Sequence, residues 1–168
     1  MNHSDRERLF LELFHQHRAR VQRLCYGYLN STAESEDLFQ EIMTNVWNSL
    51  PGFRGDSQPG TWLYRIAVNT ALLHRRKWKP TEELPELADQ AMGAQQSLEQ
   101  QERLTALHRA IATLGDQDRL IVTLLLEGLS YKEIAEITGI TVNYVGVKIT
   151  RIKQAIEQKI TEVSHGAV

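Results

Sequence analysis

The sequence predicts an all-α protein: two small helical domains joined by an acidic linker, the second containing a helix-turn-helix. Three observations predict it. Apolar residues recur at three- and four-residue steps through most of the chain, the period of an amphipathic helix. S-x-x-E pairs at Ser31/Glu34 and Ser130/Glu133 have the spacing of a capping box, in which side chains at both ends of the first turn satisfy its free N–H groups. Between them, Pro80–Gln96 holds two prolines and no Lys or Arg, and its periodicity lapses. The predicted divisions are 1–79, a linker at 80–96, and 97–168.

Leu9, Leu13, Val21, Leu24 and Tyr28 give Asp5–Leu29 one apolar stripe, so it is predicted to be a helix. Asn30–Thr32 breaks it with turn-favouring residues. The next helix runs to about Ser49, with Leu38, Ile42 and Val46 inward. Glu34, Glu36, Asp37 and Glu41 are near its start, where the helix dipole favours acids, and such a surface also suits a basic partner. Pro51–Gly60 reads as a loop, with two prolines and three glycines. Thr61–Trp78 is predicted helical, with Trp62, Leu63, Ile66, Ala67 and Leu73 as its apolar positions. It ends on Arg75, Arg76, Lys77 and Lys79 near aromatic rings, a combination that suits unstacked single-stranded bases.

Helical pattern resumes near Ser97, with Leu104, Leu107, Ile111 and Leu114 on one face. Asp116–Glu127 is a short apolar helix ended by Gly128. Ser130–Ile160 is the helix-turn-helix. Gly139 can take the positive φ a tight turn needs, and Thr141 can cap the second helix. Val142, Val145, Ile149, Ile152 and Ile156 supply that helix's apolar positions. Its other side shows Asn143, Tyr144, Val147, Lys148, Thr150 and Arg151, which offer donors, cations and methyl surface to base edges and phosphates. An ordinary helical hairpin with a solvated outer face is the alternative reading of the same pattern.

Net charge is −2 over 168 residues, but it is unevenly placed. Residues 1–80 hold 11 Lys+Arg against 8 Asp+Glu, residues 81–101 hold 5 acids and neither Lys nor Arg, and residues 102–168 hold 8 of each sign. Local charge decides nucleic-acid contact, and Thr141–Lys159 sets four cations against Glu157. The single cysteine, Cys25, excludes an internal disulfide and lies on an apolar-periodic stretch, where a buried thiol is expected. No signal peptide layout is present, and the longest nearly apolar run, Leu120–Leu126, is too short to cross a bilayer. A cytoplasmic protein with no membrane insertion is expected.

Catalytic and metal motifs are missing. No phosphate-binding glycine loop, zinc-protease helix or nucleophile elbow occurs, and His15 and His17 point to different sides of a helix. Neither an enzyme nor a cofactor or metal site is predicted.

Three segments, AESEDLFQEIMTNVW at Ala33–Trp47, GTWLYRIAVN at Gly60–Asn69 and ATLGDQDRLIVTLLLEGLSYKEIAEITGI at Ala112–Ile140, resemble in that order an extracytoplasmic-function (group IV) sigma factor of bacterial RNA polymerase. The resemblance spans about residues 5–162. It implies a protein that binds RNA polymerase core and directs promoter-specific initiation, reading a single-stranded −10 element and a duplex −35 element. It assigns polymerase binding to Asp37, Gln40 and Glu41. It assigns the −10 element to Trp62, Arg65, Asn69, Arg76 and Lys77, with Pro51–Gly60 as a base-capturing loop. It assigns the −35 element to Asn143, Tyr144, Val147, Lys148 and Arg151. Gly115 and Thr141 stand where the family usually has proline, and Gly146 where it usually has lysine. The implied partners are polymerase core, promoter DNA and an anti-sigma factor. Two rival readings are an operator-binding regulator that does not recruit polymerase and a protein-only helical scaffold.

Overall fold

The computed structural model describes residues 1–77 and 97–166, with the side chains of residues 76 and 77 outside that description. The expected linker, together with Trp78 and Lys79, lies outside the described residues. Seven α-helices and no strand occur among those described: α1 His3–Leu29, α2 Thr32–Ser49, α3 Pro59–Lys77, α4 Leu98–Ala112, α5 Asp116–Leu126, α6 Tyr131–Thr138 and α7 Val142–His165.

The helix ends follow from side chains that satisfy free backbone groups. Asn2 accepts from the Asp5 amide and starts α1 two residues before the position periodicity gave; Asn30, at φ 54°, ends it. Ser31 accepts from the Glu34 amide at the start of α2. Ser97/Gln100 and Ser130/Glu133 form complete capping boxes for α4 and α6. The backbone and side-chain bonds from Ser130 hold the Glu133 carboxyl below its ordinary range. Pro59 begins α3 earlier than the expected Thr61, because the first helical turn tolerates a residue without an N–H.

One apolar cluster runs through both ends of the chain. Leu24, Tyr28, Leu38, Ile42, Leu63, Ile121, Leu124, Ile134 and Ile149 are all fully buried or nearly so. The helices α1, α2 and α3 pack on one another, as do α4, α5, α6 and α7; α1 also meets α4 and α5, and α3 meets α5 and α6. Cys25 is fully buried, and burial pushes its thiol up to about 12, so it is unreactive at neutral pH.

Three expected core positions face outward. Leu73 is 54 % exposed, because the buried stripe of α3 continues instead through Thr70, Ala71 and His74. Leu104 is 40 % exposed, with the inward side of α4 set by Ala110 and Ile111. Val142 is 46 % exposed because the whole opening of α7, Thr141–Tyr144, stands in solvent. The stripe proper is Val145, Ile149, Ile152 and Ile156, all buried.

His17 of α1 lies under the start of α3. Its ring meets Tyr64 edge-on at 5.6 Å, and a Cβ on Gly60 would stand 2.9 Å from its Cε1, so the glycine is what lets the two helices meet there. Burial, and then the Arg20 charge, lower the His17 pKa from the ordinary 6.5; burial alone lowers that of His108. The folded protein therefore takes up these protons at lower pH than the unfolded chain does. That stability is full above about 6.5 and is lost as pH falls below it. The urea midpoint should drop between pH ~7.5 and ~5.5, and His17→Gln should make the drop smaller.

Gly146, within α7, is a second glycine with a readable cost. A Cβ there would meet only the Tyr131 ring, at 3.7 Å, an ordinary contact. Gly146→Ala should stabilise the fold by about 1 kcal/mol, the helix-propensity difference, measured by denaturant titration.

Candidate polymerase and nucleic-acid interfaces

The exposed side of α2 carries Asp37 and Gln40, three residues apart and so on neighbouring turns of one face. Glu41 lies beside them and is partly covered. Its Oε2 is 3.0 Å from Nδ1 of His74, a buried residue of α3 whose partner the sequence pattern could not name. One turn on, Asn45 Nδ2 donates to Thr70 Oγ1 at 3.0 Å, and Thr70 in turn donates to the Ile66 carbonyl. The two polar rungs hold α2 in register with α3. A groove beside this face runs between α1 and α2, lined by Gln22, Tyr26, Glu36, Phe39 and Gln40.

Trp62, Arg65 and Asn69 fall at helical spacing along α3, with Arg65 and Asn69 exposed and Trp62 partly so. The Trp62 ring packs against Phe53 of the preceding loop, 4.9 Å between centroids. Gly55 turns that loop at φ +77°, a conformation costly for other residues. Loop residues Phe53–Pro59 and Arg65 border a pocket of about 660 Å³ whose remaining wall is Glu136 of α6. Arg65 Nε donates to the Glu136 carbonyl at 2.8 Å. Arg76 and Lys77 end the backbone of α3.

The α6–turn–α7 unit is built by Gly139 at φ 77° and by Thr141, whose Oγ1 accepts from the Tyr144 amide at 3.1 Å. With the apolar stripe of α7 buried, Asn143, Tyr144, Val147 and Arg151 stand exposed on the other side. Tyr144 and Val147 are each 44 % exposed, unusual for apolar bodies on a polar helix face, and the combination can meet both methyl groups and hydrogen-bonding edges. Lys148 belongs to the same side but is largely covered. Its ammonium is 2.6 Å from Asp118 of α5 and 5.5 Å from the Tyr144 ring.

The structure therefore displays Asp37, Gln40, Arg65, Asn69, Asn143, Tyr144, Val147 and Arg151 at the surface, and engages Glu41, Arg65 and Lys148 internally. Sequence reading missed His74, Asp118 and Glu136, the residues that engage them. S-x-x-E spacing and helical period report local geometry, and these partners come from other helices. Among the described residues no cluster of side chains could hold a metal ion, and no helix is long and apolar enough to cross a membrane.

The chain matches the family Sigma-70 region 2 over residues 13–80 and Sigma-70, region 4, over residues 104–156. It is 32% identical to the ECF RNA polymerase sigma-E factor of Escherichia coli (strain K12), covering 92% of this chain and 87% of the relative. It is 33% identical to the RNA polymerase sigma-H factor of Pseudomonas aeruginosa, covering 89% and 84%. Two solved structures share the fold. CnrH, in complex with the cytosolic domain of CnrY, superposes with a TM-score of 0.70 at 18% identity, over 93% of this chain and 90% of that one. The sigma factor RpoE of Bartonella quintana, in complex with the anti-sigma factor NepR, gives 0.71 at 17%, over 90% and 96%. Both sigma-70 regions in order, with near full-length similarity to sigma-E, mean that this chain belongs to the extracytoplasmic-function sigma factors of RNA polymerase.

Proposed function

We propose that the chain directs RNA polymerase to promoters through three separate surfaces. Asp37 and Gln40 on α2, with Glu41 beside them, dock the polymerase core. The loop before α3, with Trp62, Arg65, Asn69, Arg76 and Lys77, takes the −10 element as a single strand, where aromatic faces and cations suit unstacked bases. Asn143, Tyr144, Val147, Lys148 and Arg151 of α7 read the −35 duplex, a helix being the right width for a major groove. The observation that carries the reading is the split personality of α7: one side wholly buried, the other exposing a mixed apolar, hydrogen-bonding and cationic row.

The described helices divide for this work at the stretch between Lys77 and Ser97, the first three serving core and −10 binding and the last four −35 binding. Tethering both readers to one polymerase raises the effective concentration of each for its DNA element, so neither needs high affinity alone. The protein supplies position and no catalytic step or cofactor chemistry, and it works in the cytoplasm. An anti-sigma factor is the expected regulator.

Run-off transcription with purified core polymerase, on the promoter upstream of the protein's own gene, tests this. Specific transcripts that depend on the added protein are expected. Failure to bind core at all would sink the reading and favour an operator-binding regulator.

A further inference from the structure

We infer that the C-terminal helices act as an internal cover for the −10-reading face, closing the free protein against nucleic acid until α6 leaves α3. The inference rests on the function proposed above. Glu136 of α6 walls the loop pocket, and the Glu136 carbonyl takes the Nε hydrogen of Arg65, a group otherwise available to a phosphate. A carboxylate-bearing residue thus occupies the place where an anionic strand would run.

The contact is built along its length. Arg23 of α1 makes a two-oxygen bond to Glu127 at 3.0 and 3.2 Å, with Glu127 only 14% exposed. Arg75 of α3 pairs with Asp116 of α5 at 2.8 Å. Arg119 of α5 donates to the Tyr28 carbonyl of α1 at 3.1 Å. Between these ties α1 and α5 touch at a bare spot: a Cβ on Gly27 would lie 3.0 Å from Thr123 Cγ2. Charged ties around a small-residue contact suit a joint that opens in water, since each separated ion regains hydration. The twenty residues from Lys77 to Ser97 can reach at most roughly 70 Å, so the covalent chain permits separation.

The same bare spot offers the test. The Cβ built on Gly27 stands 4.0 Å from Thr123 Cβ, within disulfide range. The double variant Gly27→Cys, Thr123→Cys is oxidised to lock the contact, then reduced, and both forms are assayed by run-off transcription with core polymerase beside the wild type. Transcription by the oxidised form should fall at least about tenfold and return on reduction, the closed population being held by a covalent bond. A higher melting temperature for the oxidised form would show that the lock preserves the fold. Equal transcription by oxidised and reduced forms would overturn the inference. In the opposite direction, Gly27→Leu wedges α1 from α5 and should reach half-maximal transcription at a several-fold lower protein concentration; no shift would overturn closure as the resting state. A wild type that gives no transcript would instead remove the proposed function, and the inference with it.

Discussion

Arg119→Ala is expected to destabilise the protein by about 3 kcal/mol, read as a lowered urea midpoint. Arg119 is 3% exposed, and its guanidinium serves three carbonyls from different places. Nη1 donates to Tyr28 at the end of α1, and Nη2 donates to Ala112 and Leu114 at the end of α4. Each is a carbonyl at or just past a helix end, with no partner from its own ladder. Truncation strands all three away from water, which is why the loss should exceed that of an ordinary surface arginine, whose ion pairs contribute well under ~1 kcal/mol. The guanidinium also lies 5.7 Å from the Tyr28 ring centroid, and alanine gives up that cation–π attraction as well. Arg119→Lys should recover only part of the stability, because one ammonium cannot reproduce a planar fork reaching two helix ends.

Asp37→Ala and Glu41→Ala should both weaken core polymerase binding, by roughly tenfold (about 1.4 kcal/mol) each, yet part company on stability. Asp37 is exposed on α2, so its loss should leave the melting temperature within about a degree or two, as for most surface substitutions. Glu41 holds His74 across the α2–α3 seam, so its loss should also lower stability by about 1 kcal/mol, the usual net worth of such a bond. Titrating labelled core with each variant, alongside thermal melts, separates the two. If Asp37→Ala bound core as the wild type does, the assignment of this face of α2 would fail.

Much of the fold was legible in the sequence because it is written locally. The caps at Ser31, Ser130 and Thr141, the turn at Gly139 and the stripe from Val145 to Ile156 each depend on residues within a few positions of one another. The same pattern identified which side of α7 faces out. What it could not show is which helix covers which side chain. Glu41 and His74 are 33 positions apart, Lys148 and Asp118 are 30, and Arg65 and Glu136 are 71. A hydrophobic period states that a position faces inward or outward, and it carries no information about the residue that arrives from another helix. Leu73 shows the other limit. Periodicity alone admits it to the core, but the stripe of α3 passes through the polar His74 instead, because Glu41 is there to receive it.

The Lys148–Asp118 pair has a consequence for how duplex binding responds to salt. A lysine that meets a phosphate releases a condensed cation from DNA, which steepens the fall of affinity with salt by about 0.9 in the log–log slope. Lys148 arrives with its own tethered counterion, 2.6 Å away on α5. Trading one anion for another leaves Asp118 to gather a cation from solution, so the exchange releases almost none. Duplex binding by this protein should therefore fall more gently with ionic strength than its cations imply. Asp118→Asn should restore the missing increment of slope, turning a salt-buffered contact into an ordinary one.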